Sequence, residues 1–154
     1  MAKKIGILTS GGDCGGLNAV IRAVTSRAIN EYGWQVYGIK DGTLGLIRKP
    51  LDVVELKLNH FDGNLMRMGG TFLGSNNKGS PFKYSGKDGI KVDMSEKIIQ
   101  GIQKLKLDAL IGVGGDGSMK LLKTLTKKGG INFIGISRND LDKLYYILST
   151  FKGR

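Results

Sequence analysis

A chain with a single cysteine, Cys14, forms no internal disulfide, and that scarcity suits a reducing compartment such as the cytoplasm. Histidine is equally sparse: His60 stands alone and far from Cys14 in sequence, so no thiol–imidazole nucleophile is indicated. His60 itself reads as a loop or helix-start residue. No apolar run is long enough to cross a membrane, and the start, M-A-K-K-I-G-I, lacks the apolar core of a signal peptide. Acidic side chains are few, 13 against 24 lysines and arginines, which leaves a net charge of +11. Nucleic acid, an anionic membrane and phosphorylated metabolites all suit that charge. Yet the basic residues are spread along the chain, and no recognition helix, zinc finger or aromatic RNA-binding signature accompanies them. A solvated surface accounts for the charge first and a phosphate ligand second; neither a nucleic-acid nor a membrane partner is expected.

Glycine is what the chain has in excess: 25 residues, where average usage gives about 11. The excess falls in short clusters at strand ends, which excludes a collagen-like repeat and a flexible linker. The most informative cluster lies between Asp108 and Lys120, D-A-L-I-G-V-G-G-D-G-S-M-K. Ala109 to Val113 has the length and apolar character of one buried strand. Gly114, Gly115, Asp116 and Gly117 follow, and Leu121, Leu122 and Leu125 then mark one face of a helix. Glycines there let backbone approach a ligand closely, and the new helix turns free N–H groups and its positive dipole end toward an anion. A carboxylate facing phosphates repels them unless a cation intervenes, so Asp116 reads as a Mg²⁺ ligand, direct or through water. Asp116 or Ser118 acting only as a helix cap is the competing reading, and this stretch alone leaves both open.

The same device occurs earlier. Lys4 to Thr9 is a strand, Ser10-Gly11-Gly12-Asp13-Cys14-Gly15-Gly16 a glycine turn, and Leu17, Val20, Ile21, Val24 and Ala28 a helical face closed by Gly33. Two such turns at the carboxyl ends of parallel strands face one crevice. Trp34 to Ile39 is a second strand, 41–50 is turn-rich, and the alternation over 51–58 fits an edge strand. The span 66–84 is a polar, glycine-rich loop carrying Lys78 and Lys83, either a functional loop or a surface hairpin. A helix over 93–106 opens on Asp93 and Glu96, spaced as a capping box, with Ile98, Ile99, Ile102 and Leu105 inward. Gly129-Gly130 ends the helix after the second turn, and 131–136 is the last clear strand. Alternating strands and helices predict a doubly wound, Rossmann-like α/β fold with a parallel sheet covered on both faces. Its length, 154 residues, fits one domain or one and a half.

Gly112-Val113-Gly114-Gly115-Asp116-Gly117 also satisfies G-x-G-x-x-G, so a NAD-type dinucleotide site is a further reading. Such sites carry an acidic residue about 20 positions on, and Asp140, near that distance, lies beyond a turn. The P-loop pattern is absent.

Three segments together resemble bacterial ATP-dependent 6-phosphofructokinase: Ile5 to Arg22, I-G-I-L-T-S-G-G-D-C-G-G-L-N-A-V-I-R; Gly69 to Ser75, G-G-T-F-L-G-S; and Gly114 to Ser118, G-G-D-G-S. The resemblance covers roughly 3–136 and looks like the N-terminal part of that family. It implies transfer of a phosphoryl group from ATP, with Mg²⁺, to fructose 6-phosphate, and a homotetramer in the full-length family. It places Gly12 against the nucleotide phosphates, Gly115, Asp116, Gly117 and Ser118 around them, Asp116 on Mg²⁺, and Asn77 and Lys78 beside the nucleotide. Gly117 resembles the ATP-using type, since pyrophosphate-dependent members typically carry aspartate there.

The chain departs from the family in several places. Asn76-Asn77-Lys78 stands where many members have an arginine, and Gly15 replaces a proline. Arg22 matches an effector-site arginine of some members, but its companion position is Ser26. Ile136 is followed by S-R-N-D instead of P-x-T-I-D-N-D, so Arg138 stands at the family's base, and a guanidinium accepts no proton. The expectation is therefore an ATP-binding α/β domain over 1–136, incomplete relative to the family fold, and an aberrant tail over 137–154. No catalytic residue is intact, and the chain alone is expected to be inactive. A non-catalytic remnant holding Mg-nucleotide and a pyrophosphate-dependent enzyme are the alternatives. Leu144, Tyr145, Tyr146, Ile147, Leu148 and Phe151 in the tail predict self-association.

Overall fold

The computed structural model describes residues 1–77, 79–86 and 88–140. Its centre is a five-stranded sheet in the order β3-β2-β1-β6-β7. The strands are β1 (Lys4–Ser10), β2 (Gln35–Ile39), β3 (Val53–Leu56), β6 (Ala109–Gly114) and β7 (Asn132–Ser137), while β4 (Tyr84–Ser85) and β5 (Lys91–Val92) pair apart as a small hairpin. Neighbours β2, β1, β6 and β7 run parallel. The exception is β3, antiparallel to β2. Its edge position permits this, because an edge strand need not be reached by a crossover helix.

Helices cover both faces, as the alternating pattern predicts. On one face, α1 (Leu17–Tyr32) buries Leu17, Ile21 and Ala28 against Ile5, Ile7, Val36 and Val113. On the other, α3 (Ser95–Leu105) and α4 (Asp116–Lys128) bury Ile98, Ile102, Leu122 and Leu125 against Leu8, Ile39 and Leu110. Alternate residues of β1 therefore go to opposite cores, the signature of a strand buried on both sides. The short α2 (Gly63–Arg67) is capped by the Asp62 carboxylate, which accepts the Leu65 N–H at 2.8 Å.

Three sequence expectations change. Leu121 is only half-buried, whereas Leu122 and Leu125 form the inward face of α4. No capping box forms on α3: Asp93 accepts the Ser95 N–H at 2.8 Å, but Glu96 turns to the Lys128 ammonium at 2.9 Å. Asp93 stands one residue before the N-cap Met94, so the reciprocal reach of a capping box is lost, and Lys128 on α4 offers Glu96 a full charge instead. His60 ends a short 3₁₀ turn, Leu58–His60, where its Nδ1 accepts the Lys57 N–H at 2.9 Å. The expectation about the apolar tail falls outside the described residues.

Candidate functional site

The chain passes from β1 to β2 on one side of the sheet and reaches β6 on the other, so the order of strands reverses between β1 and β6. Ligands of open α/β sheets bind beyond the carboxyl ends of strands at such a point. Ser10 pairs with Gly114 in the parallel register, which sets the two Gly-Gly-Asp turns side by side. A β-carbon on Gly11 would stand 3.2 Å from Ser118 Oγ and 3.9 Å from the Gly115 nitrogen. Gly11 also has φ +95°, a left-handed backbone that glycine adopts without strain. Sequence duplication and sheet register thus agree on one crevice.

The two turns differ in build. Asp116 is the first residue of α4, immediately after its N-cap Gly115. Asp13, by contrast, is separated from α1 by Cys14, Gly15 and Gly16 and lies against the loop at Gly70, where a β-carbon would stand 2.9 Å from Asp13 Oδ2. In the second turn the helix therefore starts at the aspartate itself, and the first-turn N–H groups of a helix lack intrahelical partners and suit an anion.

Asp116 is exposed and does not cap its helix. Its Oδ1 accepts the Ser137 hydroxyl at 2.8 Å, and its Oδ2 accepts the Asn139 side-chain N–H at 3.1 Å. The cap reading thus gives way to a carboxylate held from the end of β7. Each oxygen keeps a lone pair for a further partner. One oriented carboxylate fits a Mg²⁺ that arrives on polyphosphate oxygens and keeps its waters. A protein-only cage does not fit, since no group of three or more potential acidic, histidine or cysteine ligands occurs among the described residues.

The loop after Met68 is tied down from three elements. The buried Thr9 hydroxyl donates to the Gly74 carbonyl at 2.9 Å, Asn18 of α1 accepts the Phe72 N–H at 2.9 Å, and the Lys40 ammonium donates to the Phe72 carbonyl at 2.8 Å. Asp41, in left-handed backbone at φ 51°, donates its N–H to the Leu73 carbonyl at 2.8 Å. Arg48 pairs with Asp41 at 2.7 Å and also with Asp52; the hydrogen bonds it donates to those two carboxylates raise the guanidinium pKa above its ordinary value. So the segment up to Gly74 is a fixed support, and the hairpin of β4 and β5 comes after it.

Beyond this support a cavity of about 330 Å³ opens between the second turn and the loop, with Asn77, Gly117 and Ser118 on its walls beside Gly11, Thr43 and Leu121. Of the residues expected at the site, the structure gathers Asn77, Gly117 and Ser118 here, Asp116 at the start of α4 against Ser137, and Gly12 and Gly115 in the adjoining turns. Lys78 lies outside the described residues. Sequence reasoning missed Thr43 and Leu121 as lining residues and Ser137 and Asn139 as partners of Asp116. Leu121 was readable only as one more apolar helical position, and no local signal marks the others. A larger groove of about 760 Å³ runs along α4 and β7 from Asp116 to Lys127 and Asn132.

A sequence profile of the family described as phosphofructokinase matches residues 4–143. ATP-dependent 6-phosphofructokinase 1 of Synechocystis sp. is 53% identical over 136 residues, spanning 88% of this chain and 37% of the relative. ATP-dependent 6-phosphofructokinase 2 of Clostridium perfringens is 45% identical over 146 residues, 90% of this chain and 39% of the relative. The chain therefore spans well under half the length of these curated relatives. Among solved structures, Pichia pastoris phosphofructokinase in the T-state superposes with a TM-score of 0.69 at 30% identity, covering 89% of this chain and 15% of that one. The pyrophosphate-dependent enzyme of Marinobacter aquaeolei, at 17% identity and a TM-score of 0.56, shares the fold.

Proposed function

The chain belongs to the phosphofructokinase family, and from that premise we propose that it is the nucleotide-binding part of an ATP-dependent phosphotransferase acting on fructose 6-phosphate. The proposed nucleotide unit is residues 1–136. Its crevice receives the polyphosphate of ATP, with Gly12 against the phosphates on one side and Gly115 to Ser118 around them on the other. The helix N-terminus of α4 supplies N–H donors and a favourable dipole. Asp116 is the proposed Mg²⁺ contact, and a bound Mg²⁺ neutralises developing charge on the phosphates. Asn77 and Lys78 flank the nucleotide. Gly117 leaves the approach to the phosphate chain open, since a β-carbon there would meet nothing within 4 Å. That openness favours ATP over pyrophosphate as donor.

The observation that carries this reading is the pairing of Ser10 with Gly114, which brings both Gly-Gly-Asp turns to one crevice at the reversal of strand order. Proton removal from a sugar hydroxyl needs a base within hydrogen-bond reach, and Arg138 is a guanidinium, not a base. The chain by itself is therefore expected to bind Mg-ATP without transferring the phosphoryl group. Titration calorimetry with Mg-ATP, run beside a coupled assay for fructose 1,6-bisphosphate, checks both halves. Heat of binding with no product is the expected result. Product at a rate usual for a kinase would refute the inactivity, and no heat at all would refute the nucleotide site.

A further inference from the structure

We propose that Arg138 is a phosphate-binding residue that lets this crevice hold a metal-free polyphosphate, such as the terminal phosphates of ATP. The inference rests on the reading of the crevice as a nucleotide-phosphate site. Its starting point is the position of Arg138 between the two turns. The residues on either side of it, Ser137 and Asn139, both donate to the Asp116 carboxylate, so the backbone at Arg138 is pinned to the second turn. Its guanidinium reaches the first turn, where Nη1 lies 3.7 Å from the place a β-carbon on Gly12 would occupy. One side chain thus spans both glycine turns.

Charge decides what this arrangement does. Asp116 presents a carboxylate to any phosphate entering the crevice, and without a cation that repulsion opposes binding. Arg138 places a permanent positive charge in the same crevice. Its planar fork of N–H donors matches two phosphoryl oxygens. Among the described residues the guanidinium takes part in no ion pair, and it is only half-buried, so a carboxylate does not already neutralise its charge beside the first turn. The cation that neutralises the ligand is then partly built into the chain, and the dependence on Mg²⁺ falls.

Calorimetric titration of ATP and of inorganic pyrophosphate, each in EDTA and in excess Mg²⁺, tests this on the wild-type chain, Arg138→Gln and Arg138→Lys. Wild type is expected to bind both ligands in EDTA. Arg138→Gln should lose about tenfold or more in EDTA and less in Mg²⁺, with Arg138→Lys between them because it keeps charge without the fork. Binding of wild type only in Mg²⁺, or equal affinities of wild type and Arg138→Gln in EDTA, would overturn the role of Arg138 and leave the nucleotide reading standing. No binding under either condition would overturn both. Should a variant fail to fold, the wild-type Arg138 Nε–H resonance decides: it is expected to shift when pyrophosphate is added in EDTA, and an unmoved signal contradicts the proposal.

Discussion

Gly117 is the residue on which the proposed choice of phosphoryl donor turns. It lines the cavity beside Asn77 and Ser118 and has open space where a side chain would project. Gly117→Asp should therefore fold normally, yet place a second carboxylate beside the phosphate chain. Repulsion at a few ångströms in a partly desolvated site costs on the order of 1–4 kcal/mol, a loss of roughly tenfold to a thousandfold in affinity. The loss should be larger for ATP than for pyrophosphate, which has no further phosphate or ribose to clash. Calorimetry on the variant with both ligands measures it, and equal losses would mean that the turn faces the ligand differently. Gly117 was legible in the sequence because it sits in a short motif. The anchoring of Asp116 was not, because Ser137 at the end of β7 and Asn139 just beyond it lie 21 and 23 residues away, and only the fold brings them together.

Elements were read well where their signals are periodic. The strand–turn–helix units around β1 and β6 follow from buried runs, glycine turns and 3.6-residue spacing, and their parallel pairing follows from the intervening helices. What the sequence hid were side-chain choices between elements. Glu96 has the spacing of a capping partner, yet Lys128 on α4 takes it. Lys128 also donates to Ser95 Oγ at 2.8 Å, while the Ser95 hydroxyl and N–H hold the Asp93 carboxyl below its ordinary 3.8. A lowered folded-state pKa adds stability above the unfolded value, and that stability disappears as pH falls through the folded value. Asp93→Ala should therefore melt below wild type at neutral pH, and the gap should close below pH 3.8. Thermal melts of the two proteins between neutral and acid pH check this; a gap that widens in acid would contradict the assignment.

At the scale of the whole molecule, β7 is the outermost strand of the sheet among the described residues, and its Ile134 is 57% exposed. An uncovered apolar edge strand is a template for another chain. Light scattering should show association that grows with concentration and weakens in Ile134→Lys, because a charge on an edge strand opposes edge-to-edge pairing. A monodisperse wild-type monomer at high concentration would contradict it. The resemblance to phosphofructokinases was readable from three short segments, since phosphate chemistry demands backbone shapes that glycine motifs record. The cavity wall was harder to read, because Thr43 and Leu121 belong to no motif and meet only through tertiary packing. The central claim is that both Gly-Gly-Asp turns serve one phosphate chain. A titration of the ¹⁵N-labelled chain with Mg-ATP, followed through its backbone amide resonances, tests it most directly. The amides of 11–13 and 115–118 should shift together with a single dissociation constant. Shifts confined to one turn, or shifts at neither, would contradict it.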